Sequence, residues 1–210
     1  LEVLDSAVRQ MQQDAPEIQD LTIIMEMTLN NLMSEQAIDP QDFLARVDIL
    51  GALGKMVMIS NYTRFDKVTS YLRSYTQNWI GMAMGVPTLR QVFDEKYYNE
   101  MEGGILEGLG KLFQGRVKLL ILPTRETDAG ELTTSDRLEV NPELKFLYAH
   151  LVENKYIESI REFDPAGLLF KPNEVLAGIQ SGDPGWEKLV PPQAAEMIKQ
   201  KGLFGYRAPG

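Results

Sequence analysis

The stretch RVKLLILPT, residues 116–124, is nearly continuously apolar rather than alternating between apolar and polar residues. Three earlier runs share this pattern: LTIIMEM (21–27), KMVMISN (55–61) and WIGMAMG (79–85). Strands that are covered on both faces have this composition, and such strands occur mainly in parallel sheets. We therefore predict a mainly parallel sheet with strands at 21–27, 55–61, 79–85 and 116–122. The segment KYIESI (155–160) is a candidate for a short fifth strand.

Apolar stripes of helical period separate these runs. Asp39-Pro40 is a typical start for a helix that carries Phe43 and Val47 on one face, and Gly54 is a typical end. Strands that alternate with helices indicate a three-layer α/β fold, Rossmann-like or haloacid-dehalogenase-like, with helices on both faces of the sheet.

The ends of the chain suggest further divisions. An amphipathic pattern begins at the first residue, Leu1, which is not methionine, so we expect a leading helix over 1–20 that continues from a missing N-terminal region. The α/β domain is then expected over 21–160. Short helices over 161–210, broken by SGDPGW and VPP, are expected to pack on it as a tail.

Composition narrows the classes of partner. The 210-residue chain has a net charge of −9 and a pI of about 4.8, which argues against nucleic acid or an anionic membrane as the main partner but leaves room for a local basic pocket. The absence of cysteine excludes disulfides, thiolate catalysis and cysteine metal sites. The longest apolar run is shorter than the ~20 residues that a membrane helix needs. We expect a cytoplasmic protein.

Polar residues or glycine follow each predicted strand, and ligands of open parallel sheets bind outside the carboxyl ends of the strands. Glu26 and Thr28 leave the first strand on the same side of its pleat. A carboxylate there needs water, a cation or hydrogen-bond donors. The predicted ligand-binding residues are Glu26, Thr28, Asn30, Ser60, Asn61, Tyr62, Gly85 and Thr88. In the alternative interpretation these groups only cap the following helices.

Catalytic residues cannot be assigned from motifs. The chain has one histidine, His150, which cannot make a metal cluster by itself, and no metal site is predicted. It contains no Walker loop, nucleophile elbow or metal-ligand pair, so the cofactor and any reaction stay unknown.

Three stretches resemble long bacterial proteins that carry the label nicotinate-nucleotide adenylyltransferase. They are MEMTLNNLMSEQAIDPQDF (25–43), GMAMGVPTLRQVFDEKYYNEMEGG (81–104) and SGDPGWEKLVPPQAAEMIKQKGLFGY (181–206). The resemblance covers nearly all of the chain, as the C-terminal portion of such a protein. It implies a nucleotide-linked role. Adenylyltransferases of that name bind ATP through GxFxPxHxGH and ISSTxxR motifs, which this chain lacks, so we do not expect the chain alone to catalyse that reaction.

IIMEMTL (23–29) and ALGKMVMISN (52–61) are similar to the first two motifs of haloacid-dehalogenase-type phosphatases. This resemblance implies that Glu26 matches the second acid, Thr28 the threonine and Ser60 the phosphate-binding hydroxyl. Ile24 occupies the nucleophile position, where an aspartyl-phosphate mechanism needs a carboxylate. The resemblance therefore implies a degenerate, non-hydrolytic member.

Three interpretations follow. In the first, the chain is an α/β domain of a larger bacterial protein and binds a small phosphorylated or nucleotide-like ligand. In the second, it is a non-catalytic interaction or oligomerisation domain that binds its own missing N-terminal region or a second copy. In the third, it is a degenerate phosphatase.

Overall fold

The computed structural model describes residues 2–18, 20–29, 40–125, 131–163 and 172–208. The strands are β1 Ile24–Thr28, β2 Met56–Ser60, β3 Ile80–Gly85, β4 Val117–Leu122, β5 Thr124–Arg125, β6 Leu132–Thr133 and β7 Ile157–Ser159. The α-helices are α1 Glu2–Asp14, α2 Pro40–Ala52, α3 Phe65–Arg73, α4 Val86–Val92, α5 Gly104–Leu112, α6 Lys145–Glu153, α7 Pro172–Ser181 and α8 Pro192–Lys201. All five predicted strands are present.

The long strands pair in parallel, as predicted. β1 pairs with β2, β3 with β4, and β4 with β7, whereas the short β5 and β6 are antiparallel. The expected single sheet is not what the structure shows, because β1–β2 and β3–β4–β7 are separate sheets. Apolar runs carry no information about a strand's neighbours. The expectation that every such strand is covered on both faces is also wrong for β1 and β2, where Ile24, Met56 and Ile59 are exposed. A mixed α/β fold is thus confirmed, and its Rossmann-like form stays a prediction.

The chain divides into two compact units. The first consists of Leu1–Leu21 and Tyr62–Leu169, and the second of Thr22–Asn61 and Phe170–Gly210. β3, β4 and β7 belong to the first unit, and β1 and β2 to the second. This grouping differs from the serial division at residues 20 and 160 that we expected from the sequence.

The core of the first unit forms around β4. Leu119 and Ile121 point to one side, where they pack among buried side chains of α4, α5 and α6. Leu120 points to the other side and packs with Ala7 and Met11 of α1. Successive strand side chains face opposite sides, so helices cover both faces of β4 as predicted. The leading helix is therefore part of this core.

The second unit has its own buried cluster. It consists of Val175, Ile179, Trp186, Ala195 and Ile198, with Ile49 of α2 packed against it. α8 ends at Gly202, whose φ of 62° lies in the left-handed region that glycine adopts easily. The helices that we predicted after Pro172 are confirmed, and their apolar faces pack against one another and against α2.

One glycine of α5, Gly108, lies in close contact with the ring of Tyr98. The Tyr98 hydroxyl donates a 2.8 Å hydrogen bond to the carbonyl of Val92, and the residue is buried. The Tyr98 ring lies against Gly108, where an added Cβ would stand 2.1 Å from Cε1. Gly110, two residues further along the helix, has nothing within 4 Å of the same point.

We expect Gly108→Ala and Gly110→Ala to change stability in opposite directions. The first forces a buried, hydrogen-bonded ring to move, which costs about 1–3 kcal/mol. The second replaces a helical glycine in open space and stabilises by about 0.5–1 kcal/mol. Urea unfolding of both variants against wild type measures the difference, and a Gly108→Ala variant as stable as wild type would contradict the packing.

A lysine interrupts the apolar run of β4. Lys118 is 6% exposed, and its Nζ donates 2.7 Å hydrogen bonds to Asp14 Oδ2 and Glu158 Oε2. Asp14 also pairs with Arg161. Burial by itself would raise the pKa of Asp14, but the hydrogen bonds and charges of Lys118 and Arg161 outweigh burial and hold that pKa below its ordinary value. The cluster ties α1 to the sheet.

Lys118→Met should destabilise the protein at pH 7 by about 1–3 kcal/mol, because Asp14 and Glu158, whose side chains are each 19% exposed, lose their shared cation. A lowered carboxyl pKa in the folded state gives stability that is present above the unfolded value of 3.8 and is lost as pH falls through the folded value. The fall in unfolding free energy below about pH 4 should therefore be shallower in this variant.

Lys111→Met is the matched control for Lys118→Met. It removes an exposed lysine paired with Glu107 on the same helix, and such pairs contribute about 0.5 kcal/mol or less. Denaturant titrations at pH 7, 4 and 2.5 compare the unfolding free energies of the two variants. Equal losses of unfolding free energy at pH 7 would refute the role of the cluster around Lys118.

Candidate functional site

Polar groups meet at the carboxyl ends of β1 and β2 in the second unit. Thr28 and Ser60 are partners in the register of these strands, and both are buried. The Ser60 hydroxyl donates a 2.5 Å hydrogen bond to Oε1 of Glu26, which is itself exposed. Asn61 follows directly after β2. The parallel pairing thus places these residues together, as we expected from their positions at strand ends.

This arrangement presents an oriented carboxylate to solvent. An ionised Glu26 can only accept hydrogen bonds, so it suits a hydroxyl, an amine or a cation rather than a phosphate. Ile24, the first residue of β1, carries no carboxylate and therefore cannot form an aspartyl-phosphate.

The other predicted residues belong to the first unit, except for Asn30, which lies outside the described residues. Gly85 ends β3, and a Cβ built there would lie 4.0 Å from Thr124 Oγ1, beyond the end of β4. Thr88 lies in α4, and the Tyr62 ring stands 6.2 Å from that of Tyr71. The predicted residues thus fall into two groups, and a single crevice for all of them stays a prediction.

The carboxyl ends of β4 and β7 are joined by a polar segment. Ser135–Arg137 forms a single 3₁₀ turn after β6. The Ser135 amide donates to Ser159 Oγ at the end of β7 over 2.8 Å, and the two serine hydroxyl oxygens are 2.9 Å apart. The Tyr148 hydroxyl of α6 donates to the Ser135 carbonyl over 2.5 Å. Burial, with a smaller contribution from Asp136, raises the pKa of Tyr148, so its hydroxyl stays protonated as a donor.

An open depression of about 500 Å³ lies beside this segment. Its lining residues are Arg125, Glu131, Leu132, Thr134, Asp136 and Arg137. Arg137 Nη1 pairs with Glu131 Oε2 at 2.9 Å, but both side chains are exposed, so the pair is weak. Two guanidinium groups and a threonine hydroxyl are donors that suit a phosphate or carboxylate, and they share the lining with two carboxylates, Glu131 and Asp136.

The second unit has a depression of similar size, about 510 Å³, between α8 and the 3₁₀ turn Pro184–Leu189. Among the described residues that line it there is no arginine and a single cation, Lys199, which pairs with Glu187 at 2.7 Å. The arginine-lined depression is therefore the stronger candidate for an anion.

The sequence interpretation did not select Thr134 or Arg137. A signal was present, since hydroxyl and acidic residues cluster at 133–136 and Arg125 lies just beyond the most apolar strand. The sequence does not reveal the turn that brings residues 134–137 beside the end of β7. That turn depends on contacts with Ser159 and Tyr148, which are distant in sequence.

No family model, curated protein or solved structure matches the chain. None of the described helices is long and apolar enough to cross a bilayer. Within the described ranges, no group of three or more histidine, aspartate or glutamate residues could hold a metal ion. Functional inference therefore depends on the geometry of the strand ends.

Tyr148→Phe should lower the free energy of unfolding by about 1–2 kcal/mol, because the buried carbonyl of Ser135 loses its donor. Tyr156→Phe is the control, since it removes a hydroxyl from a ring that is 36% exposed. Urea unfolding at pH 7 measures both, and equal, negligible effects would contradict the role of Tyr148 in holding the turn.

Proposed function

We propose that the chain binds a small phosphorylated or nucleotide-like ligand, with the phosphate in the depression lined by Arg125, Thr134 and Arg137. The observation that carries the proposal is the pair of arginines beside the carboxyl ends of β4 and β7. In parallel α/β sheets, ligands bind outside these ends. An arginine fork can donate two parallel hydrogen bonds to a phosphate.

The negative net charge of the chain means that a phosphate can bind only where cations are close together. A phosphate approaches a protein of net charge −9 against repulsion, so its binding requires local cations. The exposed pair between Arg137 and Glu131 costs little to break, and a phosphate can take the place of that carboxylate.

In the second unit, Glu26 and Ser60 offer a separate place for a ligand hydroxyl. A strand-end carboxylate is the group that accepts ribose hydroxyls in dinucleotide-binding folds. Glu26 already accepts the Ser60 hydroxyl, which orients it, and its exposure leaves acceptor capacity for a ligand hydroxyl. We propose this role for the group at the ends of β1 and β2, with Thr28 and Asn61 beside it.

We also propose a relationship to the long bacterial proteins that carry the label nicotinate-nucleotide adenylyltransferase, on the residues quoted above. A nucleotide-like ligand fits that relationship. The sequence lacks the ATP-binding motifs of such enzymes, so the proposal for this chain is ligand binding, and adenylyl transfer is not assigned to it.

A non-catalytic interaction domain is the second candidate. Its specific support is the exposure of two large apolar side chains on the first unit, Phe146 of α6 at 83% and Leu106 of α5 at 63%. Side chains of this kind at high exposure are enriched at binding surfaces when they form a patch.

Arg125→Ala and Arg137→Ala should each weaken binding of phosphorylated probes about ten- to a hundredfold, because each charge-assisted hydrogen bond contributes about 1.5–3 kcal/mol. Calorimetric titration with inorganic phosphate, nucleoside monophosphates and sugar phosphates measures the affinities. The parent nucleosides test whether the phosphate is required.

Arg116→Ala is the matched control for the arginine variants. It removes the same charge from an exposed position just before β4, at the opposite end of that strand. Equal weakening in all three variants would indicate a nonspecific charge effect. Absence of binding to every probe, together with self-association in sedimentation, would favour the interaction domain instead.

A further inference from the structure

Helix α1 is held to the first unit by both apolar and polar contacts. Its buried apolar residues among those described are Ala7 and Met11, which pack on Leu120 and Ile160. Gln10, on the same face, is only 3% exposed although it is polar. Docking of α1 therefore depends on how its polar groups are satisfied.

The Gln10 side chain makes hydrogen bonds with the backbone groups at the outer edge of β7. Its Nε2 donates to the Ser159 carbonyl over 3.2 Å, and its Oε1 accepts from the Arg161 amide over 2.9 Å. The intervening Ile160 amide bonds in the other direction, to the Ile121 carbonyl of β4. The Gln10 side chain thus occupies the place that a neighbouring strand would take.

Asp14, one turn further along α1, makes the ionic contacts. It accepts from Lys118 of β4 and pairs with Arg161 beyond β7. The other charged groups around it are Glu158, which shares Lys118, and Glu162, whose charge acts on Arg161. Loss of the Asp14 charge leaves one carboxylate, Glu158, to neutralise a buried lysine.

Ser159 connects α1 to the candidate pocket. Its carbonyl is held by Gln10, and its hydroxyl is held by the amide and hydroxyl of Ser135. Ser135 begins the turn that supplies Asp136 and Arg137 to the depression. One residue at the end of β7 is therefore fixed from both sides, by α1 and by the pocket segment.

We propose that α1 is a releasable latch on the arginine-lined depression: its docking through Gln10 and Asp14 fixes the end of β7 and the turn at 135–137, and its release loosens both. The regulatory part of this proposal rests on the proposed function of that depression. The docking and release of α1 do not depend on that proposed function.

The physical basis is local stability. A helix of 13 residues is marginal when free in water, so release of α1 is coupled to loss of its helix. A terminal segment can open locally at a lower free energy than global unfolding requires. By linkage, a ligand that needs the fixed turn stabilises docked α1 by the same factor by which docking strengthens ligand binding.

Hydrogen exchange of the whole chain, followed by mass spectrometry, tests the latch. Gln10→Ala and Asp14→Asn should speed exchange of residues 2–14 and 131–137 at least tenfold, while β4 keeps the protection of wild type. The controls Gln12→Ala and Asp5→Asn alter exposed positions of the same helix and should behave as wild type. Unchanged exchange at 2–14 or at 131–137 in both latch variants overturns the proposal.

Ser159→Ala separates the two sides of the connection. It keeps the carbonyl that Gln10 holds but removes the hydroxyl that holds Ser135, so 131–137 should exchange faster while 2–14 stays protected. This variant tests the connection between Ser159 and the turn at 135–137 even if a latch variant fails to fold, which loss of β4 protection would show. Equal acceleration of both segments would overturn the connection through the Ser159 hydroxyl.

Inorganic phosphate tests the coupling. In wild type, saturating phosphate should slow exchange of 2–14, and both latch variants should bind phosphate several-fold more weakly. Weaker α1 docking with unchanged phosphate affinity overturns the coupling. If wild type binds no phosphate, the proposed function fails, whereas the latch is still decided by exchange at 2–14 and 131–137 without ligand.

Discussion

The structure of the first unit depends on the burial of β4 on both faces. Alternate side chains of this strand enter two separate apolar clusters, one with α4, α5 and α6 and one with α1. A strand in this position tolerates a charge only if partners accompany it into the interior. Lys118 has such partners in Asp14 and Glu158, and one of them comes from α1. The charge on the central strand therefore makes the first helix part of the fold.

The burial of β4 also determines where the polar groups beyond its carboxyl end lie. β4 is packed along most of its length and Pro123 beyond it is fully buried, so the chain becomes fully exposed only at Arg125, in the short β5–β6 pair. The polar segment that follows is tied back to β7 through Ser135 and to α6 through Tyr148. Arginines from two parts of the chain then lie around one depression. The candidate pocket is thus a consequence of how the sheet ends, and its exposed pair of Arg137 and Glu131 adds little rigidity of its own.

In the second unit, a parallel strand pair places a carboxylate beside a hydroxyl. Glu26 was the most informative residue of the sequence, because a carboxylate at the end of an apolar strand requires a partner. Its nearest identified partner is Ser60, 34 residues away. This contact satisfies part of the requirement within the protein, and the exposed remainder of the carboxylate is what a ligand hydroxyl could use.

The sequence by itself determined the strands, most helices and several of their ends, because these follow from local periodicity and caps. Gly54, expected to end a helix, has φ of 69°, in the left-handed region that glycine adopts easily. Only the tertiary structure decided that β1–β2 and β3–β4–β7 are separate sheets, that Arg125 and Arg137 line one depression, and that Gln10 closes the edge of β7. The last contact joins residues 149 positions apart. Such contacts depend on the packing of whole elements, and no local pattern of residues encodes that packing.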